Sequence, residues 1–218
     1  FNCQNNLLGS LNLLVPALQR PGTRFLFTSS IAVYGAAQVP MTEAMTPHPE
    51  DPYGIAKYAF ELELAAAHRT HGLDYVVFRP HNVYGEGQNV ADRYSNVVGI
   101  FVRQALAGQP LTVFGDGTQT RAFSHVSEVA PVLARAFDTP AAWNTVYNLG
   151  ADTPYTVLRI ARAVQRAVGR EVDIRHLAPR DEVEHAWADH GRAHAAFGRP
   201  EPVDLDDGVA RMVAWVRR

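Results

Sequence analysis

Lysine is nearly absent from this chain: among 218 residues only Lys57 occurs, and the other basic side chains are arginines. Cysteine is just as scarce. The single one, Cys3, cannot close an intrachain disulfide, which excludes a disulfide-stapled secreted scaffold and suits a reducing, cytoplasmic setting. No uninterrupted apolar run approaches bilayer-spanning length. A formal net charge of -2 gives no electrostatic reason to expect nucleic acid or an anionic membrane as partner. The start, "FNCQNNLLGSLNLL", has no initiator methionine and no basic region ahead of a cleavage site, so it is not a signal peptide. Internal repeats, charge blocks and low-complexity segments are missing too.

What remains is an ordinary globular composition, 47% hydrophobic and 19% charged, with enough chain for one sizeable core or one and a half small ones. Leu7, Leu11 and Leu14 recur at helical spacing, so the chain is expected to open in the middle of a helix. "RFLFTSS" (Arg24 to Ser30), "DYVVFRP" (Asp74 to Pro80) and "TVYNLG" (Thr145 to Gly150) read as buried parallel strands. Tyr53 to Gly72 reads as a helix closed by a glycine cap. Further helices are predicted over Val97 to Ala107, Val126 to Phe137, Thr156 to Val168 and Leu205 to Arg217. Short apolar strands alternating with amphipathic helices predict an α/β sheet with helices on its faces. From Tyr84 to Arg121 the alternation is irregular and rich in Gly, Asn and Asp, which suits ligand-facing loops.

The lone lysine stands four residues after Tyr53, in "PYGIAKYAF". On a helix those two side chains share a face. A free phenol near pKa 10 is a poor base at neutral pH, but a neighbouring ammonium favours the phenolate and brings it toward general-base range. Arginine, planar and shaped for bidentate contacts, would supply the charge with a different geometry. Taken alone, the pair is equally a chance arrangement on an exposed helix. "FTSSIAVYG" adds context, because Ser29 and Ser30 follow a buried strand at the carboxyl end, where open α/β sheets place ligands.

In order along the chain, "NLLGS", "TSSIAVYG", "PYGIAK", "RPHNVYG", "FGDGTQTRAFSHV", "VYNLG" and "RDEVEHAWAD" closely resemble the extended short-chain dehydrogenase/reductase family, and within it the nucleotide-sugar 4-epimerases. The resemblance covers nearly all of the chain. It implies a partial Rossmann-type, doubly wound parallel sheet with a small α/β substrate-binding subdomain, and NAD as cofactor. Tyr53 would take the proton of the sugar 4-hydroxyl, Lys57 would hold the nicotinamide ribose and depress the tyrosine pKa, and Ser30 would hydrogen-bond the reacting oxygen. Ser29, Asn6 and Pro80 match positions near the cofactor, although Asn6 is also what a helix-packing or capping asparagine looks like. Dehydratases of this family carry an Asp-Glu pair before "VYG", and the related decarboxylases a glutamate. Here Ile31 and Ala32 cannot transfer a proton, which disfavours elimination.

On the substrate side the resemblance places Asn82 beside sugar and diphosphate, Arg121 and Arg180 on the phosphates, Asn96 and Val97 at a helix start against uracil and phosphate, and Thr112 to Phe114 along the base. Glu182 matches an acidic position that binds the uridine ribose. Ala186 matches the residue that limits sugar size, and alanine would leave room for an N-acetyl group. A nucleoside diphosphate needs such donors and an apolar slot. No metal is expected: His190 and His194, with His185 nearby, have a helical ligand-like spacing but lack a cysteine or carboxylate pattern, and read as solvated surface histidines. His68 and His71 read the same way, at a helix end that favours cations.

The expected organisation is a Rossmann portion with Ser, Tyr and Lys over 1–84, a mainly substrate-binding segment over 85–125, a return to the Rossmann domain over 126–155, and a mainly substrate-binding subdomain over 156–218. The glycine-rich turn that receives a dinucleotide pyrophosphate is not found; "GEGQNV" at Gly85 follows the wrong element. The chain is therefore expected to lack the first third of a typical family member. Two readings follow: part of a working NAD-dependent UDP-hexose 4-epimerase, homodimeric when complete, or a non-catalytic remnant.

Overall fold

Strands as apolar as "DYVVF" need cover on both faces, and helices between parallel strands supply it. In the computed structural model, which describes residues 1–92, 95–180 and 183–218, the helices are α1 (Gly9–Leu18), α2 (Pro52–His71), α3 (Val97–Leu106), α4 (Val126–Ala136), α5 (Val157–Val168), α6 (Gly191–Phe197) and α7 (Leu205–Val216). The strands are β1 (Arg24–Thr28), β2 (Asp74–Pro80), β3 (Val83–Tyr84), β4 (Leu111–Phe114), β5 (Thr120–Ala122), β6 (Ser124–His125), β7 (Thr145–Leu149), β8 (Pro154–Thr156), β9 (Ile174–Leu177) and β10 (His185–Ala186). A π-helical turn, Cys3–Leu8, leads into α1. The chain divides into two compact units.

Unit one comprises residues 1–81, 131–149 and 187–200. Its sheet has the order β1-β2-β7, all parallel. Leu14 of α1, Phe27 of β1, Phe60 and Leu64 of α2, and Val77 of β2 form one buried cluster. Helix α2 starts where its sequence says it should. Asp51 caps it, accepting from the backbone N–H groups of Tyr53 (2.7 Å) and Gly54 (2.8 Å), and Pro52 occupies the first turn, where a missing N–H costs nothing. It ends at Gly72, whose φ of 69° is left-handed.

Unit two comprises residues 82–130, 150–186 and 201–218. Helices α3, α5 and α7 pack through Val98, Phe101, Val102, Ile160, Val164, Val209 and Met212. Its strands are short: β10 pairs in parallel with β5, which pairs antiparallel with β8, while β3 pairs with β6 and β4 with β9.

Residues 187–200 belong to unit one, a return that the expected 156–218 segment does not contain; Met41 and Ala188 make a parallel bridge there. The histidine expectation also needs correcting. His190 is 1% exposed rather than solvated, and its Nε2 lies 2.9 Å from Nε2 of the equally buried His81. Nor is His68 free in solvent, since its Nδ1 pairs with the Leu73 carbonyl at 3.0 Å.

Candidate active site

Strand β1 delivers Ser29 and Ser30 to its carboxyl end, and the turn of Ile31–Tyr34 follows, with the Ser30 side chain accepting from the Ala32 N–H at 3.1 Å. Helix α2 brings Tyr53 to this turn. The approach is close enough that a Cβ on Gly54 would stand 2.5 Å from the Ala32 carbonyl oxygen, so the position beside Tyr53 has no room for a side chain. Tyr53 stands near Ser30, close enough for the serine to favour its phenolate. One turn on, Lys57 donates to the Thr28 carbonyl at 2.9 Å, with its ammonium 4.9 Å from the Phe27 ring centroid and 5.7 Å from that of Tyr53.

The electrostatics differ from the sequence expectation. Burial raises the Tyr53 phenol above its ordinary value, Ser30 opposes that rise, and the Asp51 carboxylate adds to it. The Lys57 ammonium is turned to the Thr28 carbonyl, and burial lowers the lysine's own pKa. Ser29, expected on the cofactor side, has its side chain in the core. It is 2% exposed, and its hydroxyl donates to Oε1 of Glu61 at 2.5 Å. Asn6 lies in the π-helical turn, with its amide 3.4 Å from Asn2 Oδ1, and Pro80 is the buried last residue of β2.

In unit two a cavity of about 470 Å³ is lined by six of the expected substrate residues: Asn82, Val97, Thr112, Phe114, Arg121 and Arg180. Asn82 sits at a φ of 39°, and its amide donates to the Ala122 carbonyl at 2.9 Å. The Arg180 guanidinium stacks 3.4 Å from the Phe114 ring centroid. Arg121 donates to the carbonyls of Thr120 (2.9 Å), Glu184 (2.8 Å) and Val183. Asn96 does something else: it caps α3, accepting from Gly99 N–H at 3.3 Å while donating to the Val83 carbonyl at 2.8 Å. Ala186 is buried and lies opposite Arg121 in the β5–β10 register. Glu182 lies outside the described residues.

Sequence reasoning did not single out Arg103, Gln104 or Gln119, which share the cavity wall. Gln104 grips Thr112 twice, donating to its hydroxyl at 2.9 Å and accepting from its backbone N–H at 3.2 Å. The signal was present in the helix period, since Val97, Ile100 and Gln104 fall on one face of α3. Glu61 and Arg79 escaped notice as well. They form a buried ion pair, with Arg79 Nε 3.0 Å from Oε1 and Nη2 2.5 Å from Oε2.

A parallel sheet with helices on its faces, and Ser, Tyr and Lys gathered at the carboxyl end of one strand, define a Rossmann-like short-chain dehydrogenase/reductase. The chain belongs to the NAD dependent epimerase/dehydratase family, whose profile matches residues 3–150; NAD is that family's cofactor. It is 32% identical over 216 residues to a putative UDP-glucose 4-epimerase of Methanocaldococcus jannaschii, covering 97% of this chain and 69% of the relative. It is also 32% identical to a dTDP-glucose 4,6-dehydratase of Actinoplanes, covering 98% and 66%. The crystal structure of a Thermotoga maritima UDP-glucose 4-epimerase with UDP-glucose superposes with a TM-score of 0.91 at 32% identity, over 99% of this chain and 70% of that one. The chain thus spans about two thirds of the length of these relatives. Among the described residues no helix is long and apolar enough to cross a membrane.

Proposed function

We propose that this chain supplies the acid–base and nucleotide-binding residues of an NAD-dependent nucleotide-sugar 4-epimerase, inverting C4 of a UDP-hexose through a transient 4-keto sugar. The observation that carries the reading is the gathering of Ser30, Tyr53 and Lys57 where β1 has ended and α2 begins, with Lys57 bonded to the Thr28 carbonyl and Gly54 packed against Ala32. The chemistry that NAD would supply when bound is reversible hydride transfer at C4. The residues present fit its nicotinamide ribose: an ammonium has three N–H donors, and Lys57 gives one to the Thr28 carbonyl, leaving the rest for ribose hydroxyls. Asn6, Pro80 and the backbone at Ser29 would border the same cofactor. Tyr53 would remove the 4-hydroxyl proton and return it after the sugar turns over, while Ser30 steadies the oxygen.

Unit two supports the nucleotide assignment. Its cavity has the size of a small-molecule site, with Arg121 and Arg180 as phosphate partners, Asn82 as a sugar or diphosphate contact, and Val97, Thr112 and Phe114 along the base. Asn96 would act through the α3 cap it forms. Glu182 is retained as the ribose-binding acid and Ala186 as the residue that sets sugar size. The dehydratase relative makes elimination the competing chemistry. Against it, the positions before "VYG" are Ile31, 7% exposed, and Ala32, which have no proton to give. Use in galactose metabolism, a cytoplasmic location and a homodimer complete the reading. Conversion of UDP-galactose to UDP-glucose by the full-length protein with NAD, against Tyr53→Phe as control, tests it.

A further inference from the structure

We infer that Glu61 is a positioning residue for the Tyr53–Ser30 pair, an assignment that rests on the catalytic reading above. Tyr53, Lys57 and Glu61 follow one another at four-residue intervals, so they project from one face of α2 on successive turns. Each approaches a different member of the stretch 28–30, which runs from the last residue of β1 into the following turn. Tyr53 lies near Ser30, Lys57 donates to the Thr28 carbonyl at 2.9 Å, and Glu61 accepts from the Ser29 hydroxyl at 2.5 Å. Glu61 is the deepest of the three, 5% exposed. Its carboxylate spends both oxygens on a bidentate pairing with Arg79 of β2. The guanidinium in turn lies 4.8 Å from the Tyr34 ring centroid, and the Tyr34 hydroxyl donates to Asn148 of β7 at 2.8 Å.

One buried carboxylate therefore joins α2 to β1 and, through Arg79, to β2. A buried ion pair is a poor source of net stability, since well-packed apolar groups of like volume do as well. What it supplies here is direction. A hydrophobic contact lets a helix slide by a fraction of an ångström, whereas a carboxylate holding a hydroxyl and a guanidinium fork has one good geometry. Ser29 is bonded to Ser30 through a single peptide, and its own N–H is fixed to the Phe78 carbonyl at 2.7 Å. Holding the Ser29 side chain thus sets where Ser30 presents its hydroxyl to Tyr53.

The test reads the Tyr53 hydroxyl itself. In protein labelled with fluorotyrosine, the Tyr53 fluorine resonance is assigned by its loss in Tyr53→Phe and followed as pH rises. The charged or titratable groups near it are Asp51 and Lys57, while Arg79, Tyr34 and Tyr75 surround Glu61. Ser29→Ala is the deciding variant, because it leaves the Glu61–Arg79 pair and therefore the fold in place. The expected result is a displaced Tyr53 resonance and a titration midpoint moved to higher pH, as Ser30, which favours the phenolate, shifts away from it. Glu61→Gln should move both further if it folds. A folded Ser29→Ala whose Tyr53 resonance and midpoint match the parent overturns the assignment. The measurement needs no turnover, so an inactive enzyme with a shifted midpoint sinks only the epimerase reading, and an active one with an unmoved midpoint sinks only the positioning role.

Discussion

Tyr53, in the first turn of α2, stands beside Ser30, just past the end of β1. Desolvation raises the phenol above its ordinary value, and Ser30 opposes the rise. In the full-length protein Tyr53→Phe should lower kcat for UDP-galactose by at least about a hundredfold, the scale of a lost general acid–base group. KM should change little if Asn82, Arg121 and Arg180 hold the nucleotide, as proposed. Steady-state kinetics check this, and a Tyr53→Phe enzyme with parental kcat would sink the proposed chemistry.

Gly54 supplies a second prediction. With a Cβ it would collide with backbone, the Ala32 carbonyl, at 2.5 Å, and backbone cannot rotate aside as a long side chain can. Gly54→Ala should therefore push the first turn of α2 outward despite alanine's better helix propensity, costing about 1–3 kcal/mol, typical of overpacking. Urea denaturation measures the loss. A variant as stable as the parent would mean that the helix and turn are not in contact.

How far such relations were legible depends on their range. The strands β1, β2 and β7 and the helix α2 announce themselves through local apolar runs, an Asp-Pro start and a glycine stop. The Tyr53–Lys57 spacing is also local, so the pair was readable as a unit. Glu61 was not: a glutamate in a helix reads as solvated until its partner on β2, eighteen residues away, is known to lie beneath it. His190 was misjudged for the same reason, because its burial depends on His81 at a separation of 109 residues. One unit boundary follows suit. Pairing of Met41 with Ala188 ties 187–200 to unit one, and no local pattern announces that long-range return.

The Phe114–Arg180 stack predicts how nucleotide binding should respond to mutation. Arg180 is held over the ring at 3.4 Å, in the wall of the cavity that also contains Arg121. Its planar guanidinium can keep the stack and still present N–H donors to a phosphate, which lysine cannot do. Arg180→Ala should weaken UDP binding about tenfold or more, the value of one charge-assisted hydrogen bond, and Arg180→Lys should recover only part of it. Isothermal titration calorimetry with UDP decides, since binding needs neither NAD nor turnover. Equal affinity in all three proteins would remove Arg180 from the site.

His125 gives unit two a pH dependence. The imidazole is 0% exposed, with Nδ1 2.8 Å from Ser127 Oγ and Nε2 3.0 Å from a Glu86 oxygen. Its pKa lies below the ordinary 6.5, chiefly through burial, with Arg211 adding to the fall and Glu86 opposing it. The unfolded chain then binds the proton more readily than the folded one, so stability rises with pH across this window. It is lost as pH falls from 6.5 through the lower folded value. The thermal midpoint should drop on acidification from about pH 7.5 to about pH 5, and His125→Asn should flatten that slope. Parallel slopes would place the acid sensitivity elsewhere.

Ala186 carries the last prediction, the one about substrate range. It stands opposite Arg121 in the β5–β10 register and is 9% exposed, while Arg121 forms part of the cavity wall. A methyl side chain there leaves volume that a bulky one would fill, and filling a packed site by several atoms is not absorbed without displacement. If this position limits the sugar, the full-length protein should turn over UDP-N-acetylglucosamine alongside UDP-glucose. Ala186→Tyr should then reduce kcat/KM for the N-acetyl sugar by at least about tenfold, while the smaller hexose stays within a few-fold of the parent. Measuring both substrates in both proteins separates a size effect, which is selective, from general damage to β10, which would lower the two together. A parent enzyme active on UDP-glucose but inert toward UDP-N-acetylglucosamine would refute the assignment, because a methyl side chain at position 186 would then not suffice to admit the larger sugar.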